Sequence, residues 1–221
     1  MKKITSKSNL AILLSRIEGF HEPKVRDEQY LMDSEIGASV LWSACLIGDI
    51  EEKVICDLGC GTGMLGIGAL LLGSKSSLFV DFDEKALQTA KRNVLKLQSE
   101  GYFLGEVSFM LQEVRKIDIH ADLVIQNPPF GTKKRHEDVV FLRKAMEIAP
   151  IVYSFHKSET KGFIRKFSSD RGFRITHSWD FRFPIKASLK FHIRDIKRIG
   201  VTCFRLIKNT HTKYESAAKD F

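Results

Sequence analysis

A glycine-rich loop set between a strand and a helix constrains this chain more than any other feature. Asp57-Leu58-Gly59-Cys60-Gly61-Thr62-Gly63 follows the β-rich run Lys53–Asp57 and opens an apolar helical run over 63–72, which Gly73 ends. Glycine lets a backbone turn sharply and approach a ligand with no Cβ in the way. A strand, a glycine loop and a helix in that order begin an open α/β sheet, whose ligands bind beyond the carboxyl ends of the strands.

The rest of the chain agrees with that start. Leu78–Val80, Val107–Leu111, Leu123–Gln126 and Ile151–Phe155 read as strands, and Asp83 is placed to cap a helix running to about Gln98. Helices are expected over 137–149 and near 159–171. Strands alternating with helices predict a mainly parallel sheet covered on both faces. Two further β-rich runs, 173–183 and 199–207, have no full helix between them and predict an antiparallel hairpin at one edge. Before the first strand, 8–18 and 34–47 read as helices joined by a loop from His21 to Asp33. The expected organisation is one domain: a helical segment over 1–50 lying across the site, a core over 51–208 and a polar tail from 209.

No run of about 18 apolar residues is present, so no membrane span is expected. Cys45, Cys56, Cys60 and Cys203 form no Cys-x-x-Cys pair and have no His at zinc-ligand spacing. They read as reduced thiols in a cytoplasmic protein that holds no metal.

The loop admits two cofactors. Gly61-Thr62-Gly63-Met64-Leu65-Gly66 formally satisfies the dinucleotide fingerprint. The longer reading, with Asp57, Gly59, Gly61 and Gly63, begins on a carboxylate at the strand end. That carboxylate would organise the loop and could face the ammonium of a methionine moiety, whereas it would repel a pyrophosphate. Asp81 closes the second strand, where a carboxylate can accept from both ribose hydroxyls. Glu113 closes the third, where it could meet an adenine.

Asn127-Pro128-Pro129-Phe130 follows the fourth strand directly. Paired prolines make a stiff loop with extended backbone before it. The amino nitrogen of a nucleobase is a poor nucleophile because its lone pair is delocalised into the ring. The Asn127 side-chain carbonyl and the Pro128 backbone carbonyl can each accept one amino hydrogen and aim the nitrogen at a methyl donor. Phe130 offers an aromatic face for a flipped base.

These motifs resemble the class I methyltransferases bearing an [DNS]-PP-[YFW] signature. The resemblance extends to Glu28-Gln29-Tyr30, Asn127-Pro128-Pro129-Phe130-Gly131-Thr132, Tyr153-Ser154-Phe155-His156-Lys157 and Lys190-Phe191-His192, all similar to the methyltransferase-like protein 5 family. It implies a Rossmann-like α/β fold with a mainly parallel seven-stranded sheet, S-adenosylmethionine as donor, and adenine N6 of small-subunit ribosomal RNA as target. It also implies cofactor contacts at Gln29 and Tyr30, and in eukaryotes a small zinc-ribbon activator. Leu31-Met32 stand where the family has Pro-Thr, so no contact is carried to Met32; Glu113 stands where the family usually has Asp.

The formal charge of +8 favours an anionic partner such as RNA, and its clustering sharpens this. Lys133, Lys134 and Arg135 directly follow the proline loop, and His156, Lys157 and Lys190 belong to the resembling segments. These six are the expected RNA contacts. Unreacted alternatives are a protein-glutamine methyltransferase, since the same tetrapeptide can hold a carboxamide, a nicotinamide oxidoreductase, and a catalytically silent RNA-binding protein. The strand edge at Val107–Leu111 is the expected docking place for a small partner.

Overall fold

The computed structural model describes residues 2–24, 28–130, 136–186 and 196–209. Helix α1 (Lys7–Leu14) starts where the Ser6 hydroxyl accepts from Asn9 N. It is shorter than the 8–18 expected. Arg16 N and Ile17 N bond to the carbonyls of Leu13 and Leu14, which tightens the last turn and ends the helix. Helix α2 (Ser34–Ile47) is capped by the Asp33 carboxylate and stops at Gly48, whose φ is +88°.

The alternation then runs β1 (Val54–Leu58), α3 (Met64–Leu71), β2 (Ser76–Asp81), α4 (Glu84–Ser99), β3 (Glu106–Leu111), β4 (Leu123–Gln126), α5 (Glu137–Ile148), β5 (Ile151–Lys157), α6 (Lys161–Ser169), β6 (Phe173–Lys186) and β7 (Ile196–Lys208). Seven strands form one sheet in the order β3-β2-β1-β4-β5-β7-β6. The first five are parallel, and β7 is antiparallel to both β5 and β6. The hairpin is longer than the two runs expected. Ile196–Gly200 pairs only with Arg182–Lys186, beyond the last pair of β5 with β7 at Lys157↔Val201.

The sheet separates two apolar layers. Ile55, Leu123, Ile125, Tyr153 and Phe155 face α1 to α4, while Cys56, Val124 and Val152 face α5 and α6. This is the alternation expected of strands buried on both faces. The two N-terminal helices sit in the first layer, packed against each other and α3; only the loop between them reaches the site.

A buried polar clasp joins the turn after α2 to β5 and β7. Arg205 of β7 donates Nη2 to Asp49 Oδ1 at 2.8 Å, and Tyr153 Oη donates to Asp49 Oδ2 at 2.7 Å. Among the described residues, no helix is long and apolar enough to cross a membrane.

Candidate active site

The strand order reverses between β1 and β4, and a cavity of about 380 Å³ opens beyond their carboxyl ends. Its position is that of a switch-point site, and its size is that of a small-molecule pocket.

The glycine loop forms its floor. Gly59 N and Cys60 N donate to Val80 O at 2.8 and 3.0 Å, which stitches the loop to β2. Gly61 has a φ of +53°, and a Cβ there would lie 2.7 Å from Phe20 Cζ. Gly63 caps α3 with a φ of +90°. It is not among the residues lining the cavity, and its backbone makes the turn into α3.

Two buried acids hold this loop. Asp57 Oδ2 accepts from Gly66 N at 2.7 Å, and Asp81 Oδ2 accepts from Gly61 N at 2.8 Å. Burial, with Asp81 nearby, pushes the Asp57 carboxyl up to about 7 although the Gly66 bond opposes it. Burial also raises Asp81. Each carboxylate oxygen has lone pairs beyond those the backbone takes, so both acids can still accept from a ligand.

The far wall comes from the loop before α2. Gln29 Nε2 donates to Asp83 Oδ2 at 2.8 Å, and Asp83 N donates to Asp81 Oδ1 at 2.9 Å. Tyr30 Oη donates to Asn127 Oδ1 at 3.3 Å. Desolvation pushes the Tyr30 phenol well above its ordinary range, so it remains a donor. Glu113 stands on the rim, largely exposed, 3.5 Å from Lys116 Nζ.

Of the expected residues, the structure brings Gln29, Tyr30, Asp57, Gly59, Gly61, Asp81, Glu113, Asn127 and Pro129 around one cavity. Pro128 and Phe130 are not among the residues that line it. Phe130 is 7% exposed, stacked on Tyr30 at 5.7 Å and met edge-on by Phe183 at 6.1 Å. It is therefore not the open stacking face expected; Tyr30, which lies on the cavity wall, covers it.

The expected RNA contact at His156 is corrected. The imidazole is 1% exposed, with Nε2 2.7 Å from Ser154 Oγ, and burial lowers its pKa. A ring without solvent access cannot meet a phosphate. Lys157 sits at the end of β5 beside Glu159, partly exposed. Lys133, Lys134, Arg135 and Lys190 lie outside the described residues.

Sequence reasoning assigned no role to Phe20, Met32 or Phe141, which line the cavity, or to Glu28, which touches the proline loop. Glu28 stood in a quoted motif, yet nothing local says what its side chain would meet.

Among the described residues the charge of the wall is one-sided: five carboxylates line it (Glu28, Asp57, Asp81, Glu113 and Glu137) against one cation, Arg115, whose guanidinium is held by Glu137 at 2.9 and 3.1 Å. Such a wall favours a cofactor carrying a sulfonium and an ammonium and disfavours a pyrophosphate. The residues present thus fit S-adenosylmethionine better than a nicotinamide dinucleotide.

Comparison with known proteins agrees with this chemistry. The methyltransferase small domain family matches residues 34–149. An rRNA N(6)-adenosine-methyltransferase of Danio rerio, METTL5, is 36% identical over 87% of this chain and 94% of its own. The chain belongs to the METTL5-like methyltransferases. The crystal structure of a candidate RNA methyltransferase of Pyrococcus horikoshii superposes on this METTL5-like chain with a TM-score of 0.85 at 40% identity, covering 94% of this chain and all (100%) of that one. Magnesium protoporphyrin IX methyltransferase of Synechocystis with bound SAM shares the fold, with a TM-score of 0.61 at 17% identity over 95% of this chain and 100% of its own.

Proposed function

We propose that this protein transfers the methyl group of S-adenosylmethionine to N6 of an adenosine in ribosomal RNA, with the small subunit as the target. One observation carries the reading: Asn127, at the carboxyl end of β4, sets its side chain in the wall of an acidic switch-point cavity. The name of the Danio rerio relative, an rRNA N(6)-adenosine-methyltransferase matched over 94% of its length, supports the substrate class.

S-adenosylmethionine supplies an electrophilic methyl group on a positive sulfur when it is bound. Asp81 would hold the ribose, Asp57 the ammonium side of the methionine moiety, and Glu113 the adenine edge. The Asn127 carbonyl oxygen and the Pro128 carbonyl would each accept one hydrogen of the adenine amino group. That turns the nitrogen lone pair toward the donor. Formation of the N–C bond would be matched by loss of the methyl–sulfur bond, leaving a neutral thioether, and the positive charge passing to the nitrogen would strengthen both acceptor contacts. The extra proton leaves the nitrogen afterwards, so no strong general base is required. Lys133, Lys134, Arg135, Lys157 and Lys190 would meet phosphates beside the flipped base. The free thiols of Cys45, Cys56, Cys60 and Cys203 support a cytoplasmic setting for this activity.

We further assign the exposed edge of β3 to a small activator protein of zinc-ribbon type, docking by strand addition. Among the described residues β3 pairs with β2 alone, and Leu111 at its end is 53% exposed. The opposite edge, β6, presents the exposed charges of Arg174, Asp180 and Arg182, which discourage such pairing.

The test combines labelled S-adenosylmethionine, total RNA and nucleoside analysis. Labelled N6-methyladenosine is the expected product; label in protein glutamine, or in no RNA nucleoside, overturns the reading. Asn127→Ala should lower the single-turnover rate about 10²-fold or more, with RNA and cofactor binding little changed. Wild-type turnover in that variant would remove Asn127 from the chemistry.

A further inference from the structure

The tetrapeptide Asn127-Pro128-Pro129-Phe130 has a mechanical problem that its own sequence creates. Neither proline carries a backbone N–H. After the strand, the first donor by which the far end of the loop can be fastened is Phe130 N–H. In the structure that donor goes to the Glu28 carboxylate, Oε2, at 2.7 Å. The two residues are 102 positions apart in the chain.

The contact is made at a conformational cost. Glu28 has a φ of +51°, a left-handed value that non-glycine residues seldom adopt. The same short segment grips the loop a second time, through Tyr30 Oη on Asn127 Oδ1 and the Tyr30 ring against Phe130. Between the two grips, Gln29 is tied to Asp83, and Asp83 N to Asp81. The segment thus fastens the loop of the methyl acceptor to the acid at the end of β2.

We infer that Glu28 is a positioning residue: its carboxylate, by holding Phe130 N–H, fixes the far end of the proline loop and so the aim of the Asn127 and Pro128 carbonyls. The inference rests on the methyl-transfer reading of the loop. A charge-assisted hydrogen bond to a backbone N–H is among the stronger ones available. It holds a loop that would otherwise swing about its junction with β4. Loss of aim should appear in the chemical step, because misplacement of acceptors by about 1 Å can cost about 10²-fold in rate.

The experiment compares Glu28→Gln, Glu28→Ala and Glu28→Gly with the full-length wild type. Single-turnover methylation of RNA, cofactor affinity by calorimetry, thermal stability and hydrogen exchange at the Phe130 amide are measured on each. Glycine tolerates a φ of +51°, so Glu28→Gly should be no less stable than Glu28→Ala while lacking the acceptor. Both should lose about 10- to 100-fold in single-turnover rate, with cofactor affinity retained, and the Phe130 amide should exchange faster. Glu28→Gln keeps an acceptor oxygen and should recover much of the lost rate. Wild-type turnover by Glu28→Gly, unchanged Phe130 exchange in Glu28→Ala, or equal loss in Glu28→Gln and Glu28→Gly would overturn the assignment. The amide exchange reads the clamp without any turnover. A wild type that methylates no RNA would therefore count against the proposed function alone.

Discussion

Asp57 shows how a single buried acid can be both structural and responsive. Its carboxyl sits at the carboxyl end of β1, bonded to Gly66 N, with burial pushing it up to about 7. An unfolded chain would release that proton in the ordinary carboxylate range, near about 4. Between there and about 7 the folded, cofactor-free protein holds more protons than the unfolded one. Its stability from this group therefore falls as pH rises through that window and is level above it. The cofactor reverses the preference, because an ammonium beside Asp57 favours the ionised form. S-adenosylmethionine affinity should thus fall as pH drops below about 7, by at most about tenfold per unit. Binding near that pH should release a proton. Calorimetry between pH 6 and 7 (about one unit, the window of interest) in two buffers of different ionisation enthalpy checks both. Affinity independent of pH there, with no buffer dependence, would separate Asp57 from the ammonium.

Among the elements, β3 and β6 are the two edges of the sheet, and they differ in kind. Val107, Phe109 and Met110 of β3 pack inward, Phe109 stacking on Phe79 at 5.1 Å. What β3 leaves outside is a row of backbone groups with the Glu106, Ser108 and Leu111 side chains. β6 puts charges beside its free backbone. In the free monomer, alternate amides of β3, those not paired with β2, should exchange rapidly. They should become protected when an activator or a second copy adds a strand. Strong protection of every β3 amide in the isolated monomer would leave no edge to occupy.

At the scale of the whole molecule, the Asp49–Arg205–Tyr153 clasp ties the turn after α2 to the C-terminal hairpin through the sheet. Arg205 is also held by Thr176 of β6, Nη1 to Oγ1 at 2.8 Å. Asp49 and Arg205 are both nearly inaccessible. Removing one partner strands the other charge in an apolar layer, so Arg205→Met should cost about 3–5 kcal/mol of folding stability. Replacing Asp49 by Asn as well should recover part of that loss. Denaturant unfolding of the two variants decides it; a loss under about 1 kcal/mol in the single variant would mean that water reaches the pair.

Much of this molecule could be read locally. The order of strands and helices, the acids closing β1 and β2, the glycine loop and the proline loop depend on hydrophobic period, backbone freedom and side-chain type, all of which are written in short stretches of chain. The hairpin ends were harder, because Ile196–Gly200 is paired only by its partner strand and carries little local signal. Whether a side chain faces solvent was harder still. His156 and Phe130 are polar or aromatic groups in plausible contact positions, and only the packing of Ser154 beside one and of Tyr30 and Phe183 around the other removed them from the surface. The partner of Glu28 was beyond any local reading. Its contact with Phe130 exists because the reversal of strand order brings the loop before α2 over the carboxyl end of β4, joining residues that the chain itself keeps far apart.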